Sequence, residues 1–208
     1  MAWKGLAGAA AAPILPPAER LQKLAHAEQL FASKFPNVRT VTAKEAAALL
    51  QQQPAGYVLV DVRNNDEQQV SMLQPGQPAS VLTQQQFEQQ KAQLGDKTAI
   101  CYCTVGYRSG LYAQELQQQG IPAVNLIGGI CAWTQEGLPL AAAAGDGSSV
   151  QTNKVHTYSA RWAYHGEGYT PVYYGNEYVR MLQDQLSKLG RRLFGKGGSS
   201  SSSSSSSS

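Results

Sequence analysis

The chain has 208 residues, room for one domain with tails or for two small domains. Its 17 basic and 14 acidic residues leave a formal charge of +3. With no arginine-rich block or aromatic ladder, that slight surplus argues against a nucleic-acid binder. Three cysteines rule out a disulfide framework, and none are paired at the C-x-x-C spacing of a metal site.

A reducing compartment fits that cysteine content. No apolar run approaches transmembrane length, so no membrane span is expected. Residues 1–17 are alanine-rich with one lysine and no arginine, a poor secretory signal and an incomplete transit peptide. An intracellular protein is expected, with the cytoplasm favoured over an organelle.

In chain order, residues 18–35 place Leu21, Leu24, Phe31 and Phe35 at the spacing of one helical face behind Pro16-Pro17. This predicts a helix that docks on the domain, within an N-terminal extension over 1–36. Residues 38–41 read as a first strand. Thr42-Ala43-Lys44-Glu45 has the form of a capping box, opening a helix that turns Leu49 and Leu50 to the core and stops at Pro54 and Gly56. Residues 57–62 are nearly all apolar, as in the buried middle of a parallel sheet. Thr83 to Gln86 is a second capping box, and its helix runs past Phe87 and Leu94 to Gly95.

A short apolar strand over 98–102 follows, then a helix over 109–119 with Tyr112 and Leu116 on one face, then a strand over 123–127. Strands alternating with helices predict an α/β fold: a central parallel sheet flanked by helices, with ligands at the carboxyl ends of the strands. Residues 141–150, small and glycine-bearing, read as a linker. Five tyrosines and a tryptophan lie between Tyr158 and Tyr174, so the extension over 151–190 is expected to pack back on the domain. Asn176 is expected to cap a last amphipathic helix with Tyr178, Leu182, Leu186 and Leu189, ended by Gly190. The tail over 191–208, closing in a pure serine run, has nothing to bury and is expected to be disordered.

The chemistry concentrates where the strand over 98–102 meets the next helix. Cys103 opens that junction, where backbone N–H groups converge and a helix dipole is positive, so an anion can be held and a thiol ionised. Gly106 permits a tight turn, and Arg108 adds a fixed, forked cation. Together they make Cys103 a candidate thiolate nucleophile facing a small anionic substrate.

Cys103-Thr104-Val105-Gly106-Tyr107-Arg108-Ser109 resembles the C-x-x-G-x-R-S active loop of the rhodanese (sulfurtransferase) superfamily. Val58-Leu59-Val60-Asp61-Val62-Arg63 resembles that family's strand ending in Asp-x-Arg. Gly128-Gly129 with Trp133, Gly137 and Pro139 resembles its closing signature. The resemblance covers about 37–140 and implies a single rhodanese-like domain. It loosens over 64–78, where the family's usual G-H-I-x-G-A segment is absent.

The resemblance implies transfer of a sulfane sulfur from thiosulfate or a similar donor, through a Cys103 persulfide, to a thiol or cyanide acceptor. No metal or organic cofactor is expected. Backbone N–H groups from Thr104 to Ser109 would cradle the persulfide, Arg108 would orient the donor, and the side chains of Thr104, Val105 and Tyr107 would tune access. The Ser109 hydroxyl either caps the helix or bonds the sulfur. Asp61 and Arg63 look like a pair bracing the loop, with Arg63 a second candidate for the donor.

Cys101 is expected to be buried and inert, since same-face neighbours on a strand lie roughly 6.5–7 Å apart, too far for a disulfide. His156 and His165 are assigned to tail packing outside the core. Two other readings stand beside sulfur transfer. One is a noncatalytic rhodanese-like module that binds a protein partner through the aromatic extension. The other is a cysteine phosphatase or arsenate reductase; those enzymes place five residues between Cys and Arg, whereas four intervene here.

Overall fold

A computed structural model describes residues 15–76, 81–144, 148–176, 179–182 and 185–186. The chain divides into two compact units, Met1–Tyr173 and Tyr174–Ser208.

In the first unit, α1 (Pro17–Lys34) starts on proline in its first turn, where the missing N–H costs nothing. It buries Leu24, Ala27 and Phe31, and Phe35 just beyond it. Leu21 instead lies on the outer side of α1 and is 55% exposed. The short β1 (Thr40–Val41) leads into α2 (Ala43–Gln52). There the Thr42 N–H donates to Glu45 Oε2 at 2.8 Å and the Glu45 N–H donates to Thr42 Oγ1 at 3.2 Å, the reciprocal box read from the sequence.

Next come β2 (Tyr57–Asp61), α3 (Asn65–Val70), β3 (Met72–Leu73), β4 (Val81–Thr83) and α4 (Gln84–Gln90), the last capped by a Thr83/Gln86 box. Then follow β5 (Thr98–Tyr102), α5 (Tyr107–Gln118), β6 (Ala123–Leu126) and α6 (Gly129–Gln135). The central sheet has the order β1-β6-β5-β2-β4, and every neighbouring pair is parallel. This is the α/β architecture expected from the alternation of elements.

The period of two along β5 assigns its residues to opposite faces. Ile100 and Tyr102 join a core with α1, α2 and α6, whereas Ala99, Cys101 and Cys103 join one with Phe87 of α4 and Tyr112, Ala113 and Leu116 of α5. Strand β5 is therefore covered on both sides, and its carboxyl end delivers Cys103 to the rim between two helix layers.

The described residues of 141–150 include strand at both ends. β7 (Leu140–Ala143) pairs antiparallel with both β3 and β8 (Ser149–Thr152). Small alanines still offer their backbone N–H and C=O to a ladder, and Leu140 is fully buried. Beyond them, β9 (Lys154–His156) pairs parallel with β10 (Thr170–Val172). The aromatic extension does pack on the domain: Val155 and Tyr164 are buried in the larger core, and the Trp162 ring lies 6.2 Å from that of Phe31.

In the second unit the Val179 N–H donates to Asn176 Oδ1 at 3.2 Å, and residues 179–182 and 185–186 are helical. Tyr178, Leu189 and the tail over 191–208 lie outside the described residues. Among the described residues no helix is long and apolar enough to cross a membrane.

Candidate functional site

Cys103 follows β5 directly, and its chain turns into α5 two residues earlier than the sequence pattern suggested. Gly106 is the N-cap, with φ at 100°, a left-handed conformation that favours glycine. A Cβ there would sit 3.2 Å from the Gly128 nitrogen. Gly129 stands closer still: a Cβ on it would lie 2.2 Å from the Cys103 carbonyl oxygen. The close approach lets the Ile130 N–H donate to the Cys103 carbonyl at 2.8 Å and the Cys131 N–H to the Thr104 carbonyl at 3.1 Å. The double glycine and the cysteine loop, read as separate motifs, are two halves of one backbone contact.

The Cys103 sulfur accepts from the Gly106 N–H at 3.2 Å and from the Ser109 hydroxyl at 3.4 Å. Of the two roles left open for Ser109, the hydroxyl takes the sulfur; with α5 beginning at Tyr107, Ser109 lies inside the first turn and is no cap. Both donors suit a charged sulfur. The thiol is nonetheless only 1% exposed.

Arg108 is committed to a partner that the sequence reading missed. Its Nη1 and Nη2 bond Glu67 Oε2 and Oε1 at 2.7 and 2.8 Å, and Nη2 also donates to Thr104 Oγ1 at 3.0 Å. Burial alone would raise the Glu67 carboxyl, but Arg108, Arg63 and the Asn64 N–H together hold it down at about 2. Fully buried Glu67 is thus a carboxylate, and it fixes the guanidinium in one plane. A signal for it existed: Asn64-Asn65-Asp66-Glu67 is a capping box, and the Asn64 N–H donates to Glu67 Oε2 at 3.0 Å. The expected orienting role of Arg108 must be met by a side chain 21% exposed and already paired.

Tyr107 is half-buried and turned toward the end of α1. Its ring packs 5.4 Å from Phe31 and 5.8 Å from Phe35, with Lys34 Nζ 5.5 Å from its centroid, so it fastens α1 to the loop. Val105 is buried in the larger core. Thr104 Oγ1 stands between Arg108 and Glu67 Oε1, the latter at 3.4 Å.

The Asp61–Arg63 pair stands at the carboxyl end of β2. Arg63 Nε and Nη2 bond Asp61 at 2.9 and 2.7 Å, and Nη2 also donates to the Ser71 carbonyl at 2.6 Å. The Tyr102 hydroxyl donates to Asp61 Oδ2 at 2.6 Å, tying the pair to the residue before Cys103. Arg63 Nη1 is buried with no hydrogen-bond partner among the described residues. Of the two readings for this pair, the contacts favour bracing.

His156 and His165 are buried, not peripheral. His156 Nδ1 lies 3.9 Å from Glu67 Oε1, and burial pushes its pKa down to about 4 despite that carboxylate. His165 pairs with Arg20 of α1. Both were placed outside the core because a sequence that suggests the extension packs back does not show which residues it meets. Burial pushes the Cys101 thiol up, and the Cys131 thiol up to about 12, so both are held neutral. Among the described residues no group of three His, Cys, Asp or Glu side chains is placed to hold a metal ion.

The model of the rhodanese-like domain family matches residues 42–136. Residues 42–136 are a rhodanese-like domain. No curated protein matches the chain significantly. Solved structures similar to it include a rhodanese-like domain protein from Staphylococcus aureus, with 25% identity over 49% of this chain and 96% of that one and a TM-score of 0.40. A polysulfide-sulfur transferase homodimer from Wolinella succinogenes is 25% identical over 62% of this chain and 90% of that one, with a TM-score of 0.43. A thiosulfate sulfurtransferase from Pseudomonas aeruginosa is 24% identical over 60% of this chain, which spans only 24% of that protein, with a TM-score of 0.46. The rhodanese-like domain contains both Cys103 and Glu67, whereas β9 and the aromatic extension lie beyond the matched residues.

Proposed function

We propose that the chain is a sulfurtransferase that carries a sulfane sulfur on Cys103. The thiolate attacks the outer sulfur of thiosulfate or a similar donor. An S–S bond forms to Cys103, the donor's own S–S bond breaks, and sulfite leaves with the electron pair. Cyanide or a cellular thiolate then attacks the terminal sulfur of the persulfide, and the Cys103 thiolate departs. No net oxidant or reductant is consumed.

The observation that carries this reading is the sulfur of Cys103 held by the Gly106 N–H and the Ser109 hydroxyl at 3.2 and 3.4 Å, at the start of α5. Donors that suit a thiolate suit a persulfide anion as well. Only four residues separate Cys103 from Arg108, a ring with space for one added sulfur and crowded for a phosphoryl group.

The test is thiocyanate formation from thiosulfate and cyanide by the native chain and by Cys103→Ala, with mass spectrometry of the donor-treated protein. Activity abolished in the variant, and a gain of one sulfur on Cys103, are expected. Equal rates in both would end the reading. One observation favours a noncatalytic interaction module instead: the thiol is almost fully covered. That reading predicts no added sulfur at any donor concentration.

A further inference from the structure

Three contacts from residues 156–162, all outside the matched domain, close around the cysteine loop. His156 Nδ1 stands 3.9 Å from Glu67 Oε1, the Tyr158 ring centroid is 5.1 Å from Arg108 Cζ, and the Trp162 carbonyl accepts from Cys131 Sγ at 3.5 Å. Their three partners surround the loop. Arg108 and Glu67 both meet the Thr104 side chain, and the Cys131 N–H binds the Thr104 carbonyl. The segment therefore touches three residues that adjoin the loop, whose cysteine is 1% exposed.

Both ends of the span are anchored. β9 is laddered to β10, and Gln135 Nε2 donates to the carbonyls of Tyr164 and His165 at 2.9 and 3.1 Å. Between the anchors, Tyr158 has φ at 66°, alone among the described non-glycine residues in being left-handed. A bulky side chain adopts that conformation only where its contacts impose it. A segment fixed at both ends and strained in the middle has the construction of a two-state element.

We propose that residues 158–162, held by β9 on one side, form a lid at the Cys103 loop, and that Tyr158 stacked on Arg108 is a contact that keeps it shut. Opening breaks that stack and gives solvent access to the thiol. The lid stands apart from the sulfur-transfer reading, because what it governs is reach to the sulfur, whatever the sulfur then does.

The test is the alkylation rate of each thiol by iodoacetamide in the full chain, read by peptide mass spectrometry at urea concentrations below the unfolding transition. A local opening exposes little surface, so Cys103 should react faster than Cys101 and with little dependence on urea. Tyr158→Ala should raise the Cys103 rate roughly tenfold, the scale of a lost desolvated cation–π contact, and leave Cys101 unchanged. The lid is overturned if native Cys103 reacts as fast as in the unfolded chain. It is equally overturned if Cys103 and Cys101 share one rate and one urea dependence, or if Tyr158→Ala speeds both alike. Should that variant not fold, the urea dependence of the native chain decides alone. A chain whose Cys103 opens locally but yields no thiocyanate would sink the transfer reading and leave the lid standing.

Discussion

Ser109 and Glu67 show how one side chain can serve a sulfur directly and another only through a cation. The Ser109 hydroxyl points at the sulfur itself. Ser109→Ala removes one of two donors there, so sulfur transfer should slow roughly tenfold, the mild side of losing a donor to a developing anion because a contact to sulfur is long. Thiosulfate–cyanide kinetics check this, and an unchanged kcat would leave the hydroxyl a packing group. Glu67 acts on Arg108, whose burial is tolerable only beside a carboxylate. Glu67→Gln strands that charge and should cost about 3 kcal/mol in a urea unfolding experiment, the scale of a broken buried ion pair. Cys103 and Arg108 stood out because they sit in one short run whose chemistry is local, whereas Asp61 and Arg63 stood out only through the family resemblance. Glu67 did not, because the run around it was read for what it lacked and its capping-box form went unused.

At the scale of elements, the loop and α6 are held by backbone contact, and this makes Gly129 a different kind of glycine from Gly137. Both have positive φ, at 54° and 66°. A Cβ on Gly129 would strike the Cys103 and Thr104 carbonyls, at 2.2 and 2.8 Å, whereas a Cβ on Gly137 meets nothing within 4 Å. Gly137→Ala should therefore lose only the conformational part, about 1 kcal/mol. Gly129→Ala should lose about 3 kcal/mol or more, since neither backbone can yield without breaking the bonds from Ile130 and Cys131. Thermal unfolding of the two variants checks the ordering, and equal shifts would mean that the loop gives way freely. The sheet and its helices were readable from period and caps: Thr42 and Thr83 opened α2 and α4 as their boxes required. The start of α5 was misplaced because the helix begins on a left-handed glycine, a signal that a side-chain cap search passes over. The pairing of β7 with β3 joins residues nearly seventy apart, which no local pattern announces.

Taken whole, the molecule sets buried ionisable groups from three stretches of chain side by side, and acid should act on them in sequence. The folded protein keeps His156 neutral down to about pH 4, against an ordinary value of 6.5, because burial disfavours the imidazolium. Between those values the unfolded chain binds a proton that the folded one refuses, so stability falls as pH drops. Glu67 adds a second window. Its folded pKa near 2 lies below the ordinary 4.5, so the stability it contributes is complete above 4.5 and is lost as pH falls toward 2. The two windows run in the same direction and overlap slightly, which predicts a continuous decline in unfolding free energy beginning near pH 6.5. Urea titrations at pH 7, 5.5 and 4.5 follow it, and His156→Gln should flatten the upper part while leaving the loss below pH 4.5. A native chain equally stable at pH 7 and 4.5 would mean that His156 is open to solvent.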